Sequence, residues 1–397
     1  MMHTVRQILE IVALGGTFAA IGYYLLCLWS AWDYLRYRKS AARTVVRPEQ
    51  QSELPVSILK PLKGADPEIY ETLRSHCLLD DRQYQIVFGV SDADDPAIPL
   101  VQLLQQEFPG IPIDLVVCSE SLGTNTKVSN LLQMLRVVRH DLVVVSDSDI
   151  RVAPDYLRRV VAPLADPKVG LVTCLYRGVA NASLGSKLES VGISTDFVAG
   201  VLVARMIEGV KFGLGSTLAF RKRELEAIGG FEALVDYLAD DYQFGNRIAD
   251  RGFEVRLSDV VVETYLPAYT LREFFEHQLR WARTVRDSRR GGYLGLPLTF
   301  GLLWAVLAVS FSKGAPWAWV LLGVTASLRL WTGLVVGRTV LEDCQVKQLL
   351  PLIPLRDLAA VFVWVGSLLG NRISWRGDSF LVKDGRLVRV GNPDRGR

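Results

Sequence analysis

The chain has 397 residues, half of them hydrophobic and 22% charged, with a net charge of +3 at neutral pH. That length allows one large domain or two ordinary ones with a sizeable core. Such a mixture excludes a purely polytopic helix bundle and points to a soluble domain joined to membrane segments, while so small a net charge gives no reason to expect a nucleic-acid partner. Five cysteines, Cys27, Cys77, Cys118, Cys174 and Cys344, are scattered without a CxxC pair or metal-type spacing. They read as buried thiols of a reducing compartment.

Ile11 to Trp32 carries no charge and is long enough to cross a hydrocarbon core as a helix. Arg36, Arg38, Lys39 and Arg43 follow, opposed only by Asp33, so the positive-inside rule places the next segment in the cytoplasm. A cleaved signal peptide fits less well, because the apolar run is long, ends in aromatics and lacks a small-residue cleavage site. Residues 1–43 are thus expected to be a transmembrane anchor, and residues 44–54 a linker.

From Pro55 strands and helices alternate. Val56 to Leu59 reads as a strand closed by Lys60-Pro-Leu-Lys-Gly64, and Asp66 to Leu79 as a helix. Gln85 to Val90 is a strand ending in Ser91-Asp-Ala-Asp-Asp-Pro96, Ile98 to Phe108 a helix, Ile113 to Cys118 a strand, and Asn125 to Val138 a helix. The next strand, Val143 to Ser146, ends in Asp147-Ser-Asp149. This alternation predicts an α/β fold, a mostly parallel Rossmann-like sheet with helices on both faces, whose ligands lie beyond the carboxyl ends of the strands.

Two carboxylates as close as Asp147 and Asp149 repel each other unless a cation sits between them, and Mg²⁺ or Mn²⁺ on a substrate phosphate is the simplest cation. A strand ending in a solvated turn would show the same three residues. Convergence favours the metal, since Lys60 and Lys63, then Asp92, Asp94 and Asp95, also follow strands. Lys127 lies in the first turn of a helix fed by a glycine turn, Leu122-Gly-Thr-Asn-Thr-Lys127, where amides and a lysine suit an anion.

Beyond Asp149 the pattern predicts a helix (Pro154 to Leu164), a strand (Val169 to Cys174) and a helix (Asp196 to Met206). In the glycine-broken strand Phe212 to Phe220 the backbone is expected to approach something closely. A short helix, Arg223 to Ile228, stops at Gly229-Gly230, and Asp240 and Asp241 open another that runs to Arg251. Acids there also complement a helix dipole.

Leu271 to Arg290 has apolar residues at helical spacing and arginines on the other face, the composition of an interfacial helix. Gly291 to Ser312 is uncharged and reads as a second span. Gly314 to Gly337 reads as a third, although Arg329 inside it would cost about 2.5 to 3.5 kcal/mol at a bilayer centre and has to pair, snorkel or sit near an end. Val346 to Asn371 contains Arg356-Asp357 and is short for a span after it, so a re-entrant or interfacial segment is an alternative. The basic C-terminus, with Arg372, Arg376, Lys383, Arg386 and Arg389, points to a cytoplasmic tail.

Taken in order, Ser57-Ile-Leu-Lys-Pro-Leu-Lys-Gly64, Ser91-Asp-Ala-Asp-Asp-Pro-Ala97, Leu122 to Asn130, Asp147-Ser-Asp-Ile-Arg-Val152, Leu238-Ala-Asp-Asp-Tyr242, Ile248-Ala-Asp-Arg-Gly-Phe253, Leu279-Arg-Trp281 and Ile373-Ser-Trp-Arg376 resemble the ceramide glucosyltransferase family. Its bacterial branch includes the hopanoid-biosynthesis-associated glycosyltransferases. The resemblance implies a GT-A catalytic domain over residues 55–265, an interfacial helix over 266–290, membrane segments over 291–371 and a tail over 372–397. It implies a nucleotide-sugar donor, a divalent metal, inversion at the anomeric carbon and a membrane lipid acceptor.

Carried over by residue, Asp92 meets the uracil or ribose end of UDP, with Lys60 and Lys127 near the nucleotide. Asp147 and Asp149 hold the metal on the diphosphate, and Asp241 is the general base. Arg280 and Trp281 belong to the closing motif around the diphosphate and acceptor. One departure is His277, which stands where the family has Gln or Arg, with Gln278 one place late. The expected protein is a multi-pass enzyme of the inner (cytoplasmic) membrane whose catalytic domain faces the cytoplasm. A hopanoid acceptor with UDP-N-acetylglucosamine, ceramide with UDP-glucose, a processive polysaccharide synthase and an inactive UDP-sugar-binding scaffold remain open at this point, as does the oligomeric state.

Overall fold

The computed structural model describes residues 2–45, 55–66, 68–80, 83–375 and 378–389. Most of the expected linker, and Arg376 of the last motif, lie outside the described residues. The chain forms two compact units: Tyr37–Val179, Glu208–Pro267 and Trp375–Arg397 make one, and Met1–Arg36, Ala180–Ile207 and Ala268–Ser374 the other.

The first unit is built on an eight-stranded sheet. Its strands are β1 (Val56–Pro61), β2 (Tyr84–Val90), β3 (Ile113–Val117), β4 (Leu142–Val145), β5 (Ile150–Arg151), β6 (Val169–Val179), β7 (Leu218–Arg221) and β8 (Glu254–Tyr265), in the order β3-β2-β1-β4-β7-β6-β8-β5. β3, β2, β1 and β4 run parallel, as do β6 and β8, whereas β7 is antiparallel to both β4 and β6, and β5 to β8. Every residue of β1, β2 and β4 is buried, and β4 accordingly reads as a continuous apolar run, whereas β1 and β2 bury Ser57, Lys60 and Gln85 among their apolar residues. The strand order reverses at β1, which has β2 on one side and β4 on the other, and it is beyond the carboxyl ends at such a point that open α/β sheets bind ligands.

The core on one face of the sheet gathers Leu59, Val87, Val143, Val145, Phe220, Phe231, Phe244 and Ile248. Phe244 and Ile248 lie four residues apart on one side of helix Asp240–Asp250, and the Phe244 ring is 4.7 Å from that of Phe220. Packing that face on the sheet fixes where the helix begins, and hence where Asp240 and Asp241 stand.

Two strands of this sheet escaped the sequence reading. β8 is twelve residues long, but register shifts against β6 interrupt its alternation, and Ser258, Asp259 and Val260 are buried in succession. β5 has only two residues and exists because it pairs with β8. The expected tail contains β9 (Arg372–Trp375), β10 (Asp378–Lys383) and β11 (Arg386–Arg389), the last two forming a hairpin.

The second unit is helical. Among the described residues four helices are long and apolar enough to cross a membrane, His3–Ser40, Leu184–Glu208, Pro316–Val340 and Val346–Leu368. Leu184–Glu208 was read only from Asp196 onward, because its first half is rich in small and polar residues. The expected second span is instead a pair, Arg290–Thr299 and Gly301–Phe311, bent by 50°. Pro297 lacks the amide that would continue the ladder, and Phe300 leaves helical geometry.

Arg329 pairs: its Nε and Nη2 donate to the two oxygens of Asp357 at 2.9 and 2.7 Å, and Nη1 donates to Thr195 O at 3.0 Å. The two charges that interrupted separate apolar segments therefore neutralise each other. Leu271–Ser288 forms as expected, opened by a capping box between Thr270 and Glu273. Its arginines do not all face outward, since Arg283 and Arg286 donate to carbonyls of Gly366, Ser367, Gly370 and Arg372 at the end of helix Ile353–Leu368. Cys27, Cys77, Cys118 and Cys174 are buried thiols, but Cys344 is exposed, contrary to the sequence reading.

Candidate active site

β4 delivers Ser146 to the sheet edge, and the turn Asp147-Ser-Asp149 follows. Beneath it Lys60, at the end of β1, is fully buried. Its ammonium donates to Asp147 O at 2.8 Å and Ser146 Oγ at 3.2 Å, and lies 3.4 Å from His76 Nε2. Burial, against the pull of Asp149 and Asp147, lowers the Lys60 pKa to about 7. The same burial and the Lys60 charge hold His76 well below the ordinary histidine value. Lys60 therefore holds the backbone of the acid turn from inside.

Asp149 Oδ2 accepts from Thr264 Oγ1 at 2.6 Å, and its carbonyl accepts from Tyr265 N at 3.1 Å, so β8 fixes the second acid. Burial and the Asp147 charge push Asp149 above the ordinary carboxylate value. Asp147 is half-buried, and Lys127 Nζ lies 2.8 Å from its Oδ1 and 3.1 Å from Asp240 Oδ2. Burial opposes the Lys127 charge, but Asp147, Asp240 and Asp241 outweigh it and hold the ammonium well above the ordinary lysine value.

Lys127 is placed by Asn125, which caps helix Thr126–Met134 by accepting from Val128 N at 3.2 Å. The Asn125 amide also donates to Tyr237 O at 2.7 Å and to Asp240 Oδ1 at 3.4 Å, tying the lysine helix to the segment before the acid pair.

Asp241 Oδ2 accepts from Gly215 N, and Oδ1 from Tyr242 N, each at 2.7 Å. Burial and the neighbouring Asp240 charge raise its pKa to about 6 despite Lys127. The close approach expected in the glycine-broken segment is to these acids. A Cβ on Gly215 would lie 2.8 Å from Asp147 Oδ2 and 3.3 Å from Asp241 Oδ2, and one on Gly213 would lie 2.7 Å from Asp241 O.

Thus Lys127, Asp147, Asp240 and Asp241 are gathered at one place, with Asp149 in the same turn as Asp147 and Lys60 beneath that turn at the end of β1. Asp92 stands apart in the exposed turn after β2, where its Oδ1 accepts from Asp94 N at 3.0 Å. Buried Asp95 accepts from Gly64 N at 3.1 Å and joins the β1 and β2 loops. His277, Arg280 and Trp281 belong to the helical unit. There His277 Nδ1 is 3.5 Å from Glu189 Oε1, its ring stacks 5.4 Å from that of Tyr269, and Trp281 lies 5.3 Å away. Gln278 reaches the same buried Glu189, donating to it at 2.6 Å, and accepts from Arg356 at 2.9 Å.

Asn125, Thr264, Glu189 and the Gly215 amide were missed from sequence. Asn125 alone had a local signal, a capping side chain three residues before Val128. Among the described residues no three His, Cys, Asp or Glu side chains converge as a metal cage. A hard cation bound through one or two carboxylates and substrate phosphates needs no such cage, and the raised Asp149 is the kind of group it would relieve. The donor set fits Mg²⁺ or Mn²⁺ in that mode.

The site thus lies on a mostly parallel sheet with acids gathered beyond its strands, in a chain that also carries apolar helices long enough to span a membrane, and its matches to known proteins make this a glycosyltransferase with a GT-A fold. Residues 12–388 match Glycosyl transferase family 21, and the chain belongs to that family. It is similar to Ceramide glucosyltransferase 3 of Caenorhabditis elegans, 26% identical over 67% of this chain and 58% of that protein, and so spans less than two thirds of that relative. Ceramide glucosyltransferase 1 of the same organism is 25% identical over 84% of this chain and 73% of its own length. In fold the chain is similar to the mannosyltransferase PcManGT from Pyrobaculum calidifontis, solved with GDP-Man and Mn²⁺, with a TM-score of 0.51, 23% identity and coverage of 91% of this chain and 98% of that one.

Proposed function

We propose that the protein is an inverting glycosyltransferase that moves N-acetylglucosamine or glucose from a UDP-sugar to the hydroxyl of a membrane lipid. The observation that carries this reading is the placement of Asp241 beside Asp147, with one glycine between them and its pKa raised to about 6. A base and a leaving-group site in one cluster are what a single displacement requires.

In this reading Asp241 accepts the proton of the lipid hydroxyl as its oxygen bonds to the anomeric carbon, while the sugar–phosphate bond breaks and its electron pair leaves with UDP. Asp147 and Asp149 would hold Mg²⁺ or Mn²⁺, whose positive charge offsets the negative charge growing on the diphosphate. Lys127 keeps its charge beside Asp147 and Asp240 and stabilises the same leaving group. Lys60 and Thr264 keep the acid turn in place. Asp92 is assigned to the uracil or ribose end, and His277, Arg280 and Trp281 to the diphosphate and acceptor side. The catalytic unit is assigned to the cytoplasmic face of the inner membrane, on the strength of Arg36, Arg38, Lys39 and Arg43 after the first apolar stretch.

The acceptor assigned is a hopanoid. Ceramide is the second reading, favoured by the names of the relatives. Membranes containing the protein, incubated with UDP-N-acetylglucosamine or UDP-glucose and with either lipid, will yield one glycolipid detectable by mass spectrometry of the extract. Release of a polymer would support a processive synthase instead, and absence of any transfer from either donor would support the scaffold.

A further inference from the structure

The C-terminal hairpin is fastened to the segment that leads into the acid pair. β10 and β11 pair in antiparallel register from Phe380↔Arg389 to Lys383↔Arg386. Their two-residue turn is Asp384-Gly385, with φ of 51° and 76°, the left-handed pair of angles that suits a tight hairpin. One face, Phe380, Val382 and Leu387, is buried, and Leu381 and Val388 on the other are exposed. The hairpin is thus a folded element with an inward side.

Its tip pairs with residues 236–238. Leu387 N donates to Asp236 O at 2.7 Å, Leu238 N donates to Gly385 O at 3.2 Å, and Tyr237 and Arg386 form an antiparallel bridge. Two guanidinium groups lie over the Tyr237 ring, Arg386 at 5.2 Å and Arg247 at 5.3 Å, and Arg386 Nε donates to the Tyr237 hydroxyl at 3.3 Å. Arg247 belongs to helix Asp240–Asp250, so the stack joins the hairpin to the helix that carries Asp241.

The other side of the segment is held by the lysine helix. Asp236 Oδ1 accepts from Thr124 N and Oγ1 at 3.0 and 2.9 Å, and Tyr237 O accepts from Asn125 at 2.7 Å. Residues 236–238 are gripped from both sides immediately before Asp240. The N-cap position of the acid helix, Ala239, has no side-chain cap of its own, so the start of that helix depends on what holds the preceding residues.

We propose that the hairpin of residues 378–389 is a clamp on the catalytic base, with Arg386 and Tyr237 as positioning residues that set where Asp240 and Asp241 stand. This rests on the assignment of Asp241 as base. Neither positioning residue touches the reacting atoms. A small misplacement of a base is costly in rate, so loosening the clamp acts on turnover and leaves donor binding alone.

The test uses the full-length protein in membranes, with Arg386→Ala, Arg386→Lys and Tyr237→Leu. Arg386→Ala and Tyr237→Leu are expected to lower kcat about ten- to a hundredfold with the KM for the UDP-sugar unchanged. Arg386→Lys, which retains the cation over the ring, is expected to recover most of the rate. Amide exchange over residues 236–242 is expected to accelerate in the two damaging variants, while the affinity for UDP holds. Wild-type kcat in Arg386→Ala, or a fall in kcat matched by an equal loss of UDP affinity, overturns the clamp. Asp241→Asn run in parallel separates the two ideas: if it retains turnover the base assignment has failed, and if it is inactive while Arg386→Ala is normal only the clamp has failed.

Discussion

Gly215→Ala places a single methyl group between the two acids on which the proposed chemistry depends. The new Cβ would stand 2.8 Å from Asp147 Oδ2 and 3.3 Å from Asp241 Oδ2, where ordinary contact begins at 3.4 Å. Gly215 is not in the left-handed region, so alanine brings no backbone strain and the fold should persist. Asp241 is anchored by two backbone amides and Asp147 by Lys127, so neither can swing away freely. Restoring ordinary contact takes a shift of about 0.6 Å at Asp147 and only about 0.1 Å at Asp241, and where about 1 Å can cost a hundredfold this predicts a loss of about ten- to a hundredfold in kcat/KM, or about 1.4 to 2.7 kcal/mol. The thermal midpoint should move by no more than about 3 °C. The assay is transfer from UDP-sugar to lipid at saturating metal, with Gly110→Ala, whose Cβ meets nothing within 4 Å, as the control. Wild-type kinetics in Gly215→Ala would show that this gap between Asp147 and Asp241 is not part of the working site.

The remaining expectations concern pH, metal and the helical unit. Asp241 must be ionised to accept a proton, so with its pKa at about 6 kcat/KM should fall tenfold per pH unit below that value and level off above it, as a pH profile of kcat/KM, which reports the free enzyme, will show. Chelation should abolish transfer and added Mg²⁺ or Mn²⁺ restore it, and Asp149→Asn should raise the metal concentration for half-maximal rate; transfer undiminished in chelator would remove the metal from the account. Asp357→Asn leaves Arg329 buried without its anion and should cost about 3 to 5 kcal/mol, read as loss of folded protein in detergent, whereas replacing both residues by leucine should recover most of it.

Much of the sheet unit was legible because β1, β2 and β4 are buried throughout and are therefore mostly apolar, and because ligand binding in such sheets places acids and lysines after strands. Lys127 in a first turn and Asp240-Asp241 at a helix start were readable for the same local reason. What each group faces was not. The Lys127–Asp240 pair joins residues over a hundred positions apart, and the burial of Lys60 depends on Ser146 and the Asp147 carbonyl closing over it. Arg329 advertised the need for a partner through its cost in an apolar stretch, yet nothing local singled out Asp357. The hairpin at residues 378–389 was hidden because its charged residues outweigh a short alternation, so it read as a tail.

The central claim is that Asp241 is the base of a sugar transfer whose leaving group is held at Asp147 and Asp149. Its most direct test is the turnover of Asp241→Asn measured together with UDP binding on the same membrane preparation. The account predicts that transfer falls by about a hundred- to ten-thousandfold while UDP affinity stays within about threefold of wild type. Near-normal transfer with intact UDP binding would contradict it.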